Sequence, residues 1–290
     1  MYRRTHVFLL IISTVSILSL VTLIVFHENQ PQRPQPSRTC LKSANTEALF
    51  KVPFFPMMVH TGNPSKIYHW VRNKTGLEIG GPSPATWGVL GIYEAAAILD
   101  VTNFAATTLW EKELRHNSPF MWNNRRKGTQ YIRDAVDLKG IPNNTYDFVI
   151  GSHVLEHIAN PFKAFLEWLR ILKDGGLLLL ILPLKERTFD HNRAVASIQH
   201  LIHDYHKQVD ESDLSHMDEI IRLHDLAMDP PAGNIEFFTN RSRNNFRNRG
   251  LHQHVYDQQL LYYMFICVNI NVKYQITWES HQLIVGQKHF

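Results

Sequence analysis

The sequence predicts an α/β fold around a mostly parallel sheet, and three stretches carry that expectation. Residues 146–183 read as strand, turn, helix and strand. Asp147-Phe148-Val149-Ile150 is one buried-strand run, and Leu177 through Leu182 is another, stopped by Pro183. Residues 76–83 join a short apolar strand to a glycine turn, Gly76-Leu77-Glu78-Ile79-Gly80-Gly81-Pro82-Ser83. At the C-terminus, residues 271–279 and 282–288 alternate and are separated only by Ser280-His281, which predicts an antiparallel hairpin.

In chain order, residues 1–6 form a short tail with Arg3 and Arg4. Residues 7–26 are uncharged and dominated by Leu, Ile and Val, long enough to cross a bilayer. Without a small-residue cleavage site this run predicts a retained signal anchor, and the basic flank puts the tail in the cytosol. Residues 27–46, with Pro31, Pro34 and Pro36, predict an extended stalk. The remaining domain, 47–290, is large enough to bury one core.

Within it, the strand ending at Ile79 leads into Gly80 and Gly81, where backbone can approach a ligand closely. Pro82 and Pro84 offer no amides, so the three-glycine dinucleotide pattern is not met and a nicotinamide cofactor is disfavoured. Residues 97–100 read as a second strand ending in Asp100, and 130–135 as a third ending in Asp134-Ala135. After the 147–150 strand comes the polar cluster Ser152-His153-Val154-Leu155-Glu156-His157. Asn160 then caps a helix with Pro161 at its first position. Phe162, Phe165, Leu166, Leu169 and Leu172 recur on its apolar side, with Lys163, Glu167, Arg170 and Lys173 on the wet side. Asp174-Gly175-Gly176 turns the chain back into the sheet.

These residues resemble a class I S-adenosylmethionine-dependent methyltransferase, of the type 11 group that includes ubiquinone and menaquinone methyltransferases. The resemblance covers residues 77–183 well and the last thirty or so by topology. It implies a Rossmann-like sheet with a reversed last strand, helices on both faces and a helical insertion after the fifth strand. It also implies S-adenosyl-L-methionine as cofactor. Carried over residue by residue, Glu78, Gly80, Gly81 and Pro82 fall on the first motif, around the methionine moiety. Asp100 falls on the ribose acid, Asp134 and Ala135 on the adenine edge, and Ser152 and His153 on the segment along the sulfonium. Pro82 stands where the family has a glycine, so this loop follows a different path.

The insertion, residues 184–250, emerges on the crevice side and is expected to act as a lid, with helices at about 194–207 and 217–228. A hydroxyl acceptor needs a base, and His252 or His254, then Asp190 and His191, are the candidates. A carboxylate acceptor needs none. Among 17 histidines, His200, His203 and His206 lack the i, i+4 pairing of a single ion site, so no metal is expected.

Cys40 and Cys267 imply no disulfide framework: the first is read as a stalk thiol able to pair between chains, the second as core. Sequons begin at Asn73, Asn143 and Asn240. The net charge of +4 is small, no nucleic-acid motif occurs, and the cluster Arg241, Arg243, Arg247 and Arg249 reads as a solvated lid face. The expectation is a single-pass Golgi or ER enzyme with a luminal domain, methylating a hydroxyl or carboxyl of a small molecule or glycan. The alternative is an inactive binding module of the same fold. A stalked glycosyltransferase is disfavoured because no Asp-x-Asp triplet is present.

Overall fold

The computed structural model describes residues 40–41, 60–61 and 66–289. Its centre is a nine-stranded sheet of β1 (His60–Thr61), β2 (Thr75–Ile79), β3 (Ile98–Asn103), β4 (Ser118–Trp122), β5 (Arg125–Ile132), β6 (Tyr146–Ser152), β7 (Leu172–Pro183), β8 (Ile270–Trp278) and β9 (His281–Lys288). The spatial order is β1-β8-β9-β7-β6-β2-β3-β5-β4. From β7 through β6, β2 and β3 to β5 every pairing is parallel. Strand β9 runs antiparallel between β7 and β8, as the short Ser280-His281 connection requires.

Both sheet faces are covered. Leu178, Leu180 and Leu182 point into one core layer, and Leu177, Leu179 and Ile181 into the other. This period-two split explains why β7 is apolar at consecutive positions. The first layer contains α3 (Pro161–Ile171) and α8 (Gln258–Cys267); the second contains α1 (Lys66–Val71) and α2 (Ile92–Ala95). Helix α3 begins as expected, with Asn160 Oδ1 accepting from Lys163 N at 3.1 Å and Pro161 next. Its buried stripe differs from the expected one. Phe162, Phe165, Trp168 and Ile171 face the core, while Leu166 is 39% exposed. The indole of Trp168 donates to Ala135 O, so a bulky group with a satisfied donor takes that side.

The insertion holds α4 (Ile198–Lys207) and α5 (Met217–Leu223) near their expected places. It also holds α6 (Ile235–Arg243) and α7 (Asn245–Asn248), which the sequence reading did not anticipate. Met217, Ile220, Ala232, Phe238 and Leu251 give it a small core of its own. Antiparallel β4 is likewise an addition, extending the sheet beyond β5.

The cysteine reading is corrected: Cys40 and Cys267 form a disulfide, with Cα atoms 5.2 Å apart. Cys40 is buried in the core layer against α8 and is not a free thiol. Sequence separation of 227 residues hid the pairing. Among the described residues no helix is long and apolar enough to cross a membrane. The apolar run at 7–26 lies outside them.

Candidate functional site

The loops after β2, β3, β5 and β6 meet at the carboxyl edge of the parallel strands, where an open α/β sheet leaves a crevice. The insertion and the β8–β9 turn close its other sides. The result is a cavity of about 440 Å³, within the usual size range for small-molecule sites.

After β2, Gly80 and Pro82 line the cavity. Gly80 has a φ of +75°, and a Cβ there would lie 2.4 Å from Val154 Cγ2, so only glycine fits. Glu78 does not line the cavity. It is fully buried beneath the loop, where its carboxylate accepts from Ser83 Oγ at 2.7 Å and from the hydroxyl of Tyr93. Burial pushes its pKa up, partly offset by these donors. Glu78 therefore braces the loop, and Gly81 leaves room for it: a Cβ there would meet the Glu78 carboxylate at 2.5 Å.

The placement of Asp100 is corrected. Strand β3 runs on to Asn103, so Asp100 sits mid-strand and off the cavity. Its carboxylate accepts from Thr129 N and from Tyr146 Oη, each at 2.7 Å, which ties β3 to β5 and β6. Asn103, at the strand's end, occupies the crevice instead. Its Nδ2 donates to Gly81 O at 2.7 Å, which orients the amide in the cavity wall beside the glycine turn. The apolar alternation through Val101 was the missed signal that β3 extends further.

Beyond β5, Asp134 and Ala135 line the cavity as expected. Asp134 accepts from Arg249 Nη2 at 3.0 Å, and Arg249 also pairs with Glu211. All three line the cavity. Arg249 thus joins the crevice to the insertion, contrary to its expected place on a solvated face.

After β6, Ser152 and His153 line the cavity. Ser152 Oγ and Arg133 Nε are buried without hydrogen-bond partners among the described residues, and both residues belong to the cavity wall. His153 holds a φ of +53°, uncommon for a side-chain-bearing residue, and its Nε2 lies 2.8 Å from Nδ1 of His281. Burial, followed by His281 and His252, pushes His153 down to about 4. His281, His157, Trp110 and Glu111 also line the cavity and were missed. His281 opens β9, at a position that pattern reading treats as a connector.

None of the four expected base residues lines the cavity. His252 packs against the cavity-lining His157, ring centroids 4.7 Å apart, and its Nδ1 lies 2.5 Å from Asp190 Oδ2. Asp190, also paired with Arg193, is held down to about 2: burial works against this, but His252 and Arg193 outweigh it. His254 is buried against Asp204 at 3.1 Å, and His191 pairs with Asp225 at 3.0 Å. Alternation does not bring His252 and His254 to the crevice, because the backbone amides of Gln253 and His254 are held on Glu156 O. Two groups of metal-capable donors occur among the described residues: Glu156, His157 and His252, and His200, Asp204, His216 and His254.

Residues 97–180 match the family model described as a methyltransferase domain. No curated protein matches the chain. Similar solved structures include an S-adenosylmethionine-dependent methyltransferase from Mesorhizobium loti, at 10% identity and TM-score 0.46, covering 78% of this chain and 95% of that one. A SAM-dependent methyltransferase from Methanosarcina mazei is similar at 14% identity and TM-score 0.44, covering 78% and 97%. The N-methyltransferase NodS from Bradyrhizobium japonicum is similar at 9% identity and TM-score 0.41, covering 78% and 94%. Residues 97–180 thus carry a methyltransferase domain, which implies S-adenosylmethionine as the methyl donor. The wall fits such a group: a bare glycine turn, an oriented amide at Asn103 and unpartnered polar atoms at Ser152 and Arg133.

Proposed function

We propose that the protein transfers a methyl group to a hydroxyl or carboxyl of a small molecule or glycan. The convergence of Gly80, Asn103, Asp134 and Ser152 on one cavity carries this reading. S-adenosylmethionine, when bound, supplies a methyl already activated by its sulfonium. The chain's own task is then to bind, orient and exclude water. Asn103 is placed to accept from ribose hydroxyls through Oδ1, because its Nδ2 is already committed to Gly81 O. Ser152 and His153 face the region of transfer. His153, which lines the cavity and is neutral at physiological pH, would serve as the base for a hydroxyl acceptor.

We place the enzyme in a secretory compartment, held by the apolar segment at 7–26. The Cys40–Cys267 disulfide supports this, since such bonds persist in oxidising compartments. Asn73, Asn143 and Asn240 are all exposed, as glycan acceptors must be. A second reading, a binding module without turnover, is favoured by one observation: His252, His254, Asp190 and His191 all lie off the cavity.

Isothermal titration with S-adenosylmethionine tests the proposal. Asn103→Ala should weaken binding about tenfold, equivalent to one lost hydrogen bond of about 1.4 kcal/mol. Asp100→Asn should leave the affinity within about twofold, since that carboxylate braces strands. Absence of binding to the wild-type protein sinks the reading. Binding without consumption of the cofactor, in the presence of broad acceptor mixtures, selects the module. With an acceptor in hand, His153→Ala should slow transfer to a hydroxyl by about a hundredfold and leave transfer to a carboxylate nearly unchanged.

A further inference from the structure

Four residues that no cavity function uses meet where the insertion packs against the segment that precedes α8. His200 and Asp204 lie one turn apart on α4, His216 immediately precedes α5, and His254 sits in the extended segment before α8. One donor atom from each lies within 4.8 Å of the other three. His200 Nε2 is 3.0 Å from His216 Nε2 and 3.2 Å from Asp204 Oδ2, and His254 Nε2 is 3.1 Å from that same oxygen. Donors around a tetrahedral ion, each about 2.1 Å from it, stand about 3.4 Å apart. These three spacings are close to that edge length, and the remaining three lie within 4.8 Å.

We propose that His200, Asp204, His216 and His254 form a closed, four-ligand site for a divalent transition metal of the zinc type, which fastens the insertion to the catalytic core.

The plain alternative is a hydrogen-bonded histidine cluster, and proton placement argues against it. His200 Nε2 contacts both His216 Nε2 and Asp204 Oδ2. If it carries a hydrogen, that one hydrogen must be divided between the two acceptors. If it carries none, its lone pair faces the carboxylate lone pairs. A cation at the centre turns all four lone pairs to one purpose. Three imidazoles and one carboxylate suit zinc, and four protein ligands leave no open position, which marks a structural site rather than a catalytic one.

Three of the four ligands are also held from outside the cluster. Ser197 Oγ accepts from His200 N and caps α4. Asn160 Nδ2 donates to Asp204 O, and Glu156 O accepts from the amides of Gln253 and His254. Two of the three contributing segments, α4 and the stretch around His254, are thereby fixed in place before any ion arrives. His203 and His206, the other two histidines of α4, are exposed and play no part. Helical spacing misleads here because the i, i+4 partner of His200 is an aspartate. Glu211, which meets Arg249 at the cavity, lies in the loop between α4 and His216, so the ion would steady that edge of the cavity. The site does not depend on methyl transfer and stands or falls separately from it.

The test begins with the full-length protein purified without chelators, dialysed against zinc and desalted. Elemental analysis should find near-stoichiometric zinc, and Asp204→Asn and His216→Ala should each weaken zinc binding at least about tenfold. Cobalt exchanged into the wild-type protein should give the intense visible bands of four-coordination. Extraction with a strong chelator should raise protease sensitivity within residues 184–250, and added zinc should reverse it. Metal-free wild-type protein after zinc dialysis, or variants that hold zinc as well as wild type, would overturn the proposal. Should the variants fail to fold, the cobalt spectrum decides alone: weak six-coordinate bands or none overturn it.

Discussion

Glu156 is 2% exposed, and neither of its carboxyl oxygens has a hydrogen-bond partner among the described residues. Burial pushes its pKa up to about 7, with His252 pulling in the other direction. The folded protein therefore binds more protons at this position than the unfolded chain between an ordinary value of 4.5 and about 7. Stability from this group is complete at the acid end of that window and is lost as pH rises through it. We predict that the stability advantage of Glu156→Gln over wild type grows by at most about 3 kcal/mol between those limits. Urea denaturation at several pH values measures it; parallel pH profiles for the two proteins would exclude a buried, proton-holding Glu156. Asp100 and Asn103 show the other rule of this scale. Three positions along β3 separate a carboxylate that ties strands together from an amide that reaches the cavity. Nothing in their identities foretells which does which.

Between elements, the contact that joins the insertion to the cavity wall is Arg249. Its guanidinium bridges Asp134 after β5 and Glu211 in the insertion, and also lies over the ring of Phe104, 5.3 Å from its centroid. Arg249→Ala leaves two carboxylates facing each other without a cation, so their segments should separate. The expected result is faster hydrogen exchange in residues 205–215 and about tenfold weaker cofactor binding, with the β-sheet unaffected. Unchanged exchange there would show that the bridge does not hold the insertion. The apolar stripe of α3 shows how much element-level pattern transmits. Its start and length were readable from Asn160 and Pro161. Its rotation was not, because Trp168 and Leu166 compete for the buried side and only the facing strands discriminate.

For the whole molecule, the Cys40–Cys267 disulfide closes a loop of 227 residues and fastens the chain ahead of the sheet to α8. In the chain-entropy view, opening it lowers stability by about 5 kcal/mol. We predict a loss of this order in denaturant melts under thiol reductant, reproduced by Cys267→Ser, which reductant should not lower further. A wild type indifferent to reductant would contradict a closed bond. The parallel sheet, the reversed β9, the glycine turn and the insertion were readable in advance, because strand burial, helix capping and turn chemistry act over a few neighbouring residues. Gly80, Pro82, Asp134, Ala135, Ser152 and His153 reach the cavity for the same reason: each lies at or shortly beyond the carboxyl end of a strand. The disulfide, the Arg249 bridge, His281 in the cavity wall, the withdrawal of His252 and His254 from it, and the gathering of His200, Asp204, His216 and His254 were not readable. Each joins residues whose separation along the chain carries no periodic signal, and their meeting is set by how the insertion and the final hairpin pack back onto the sheet.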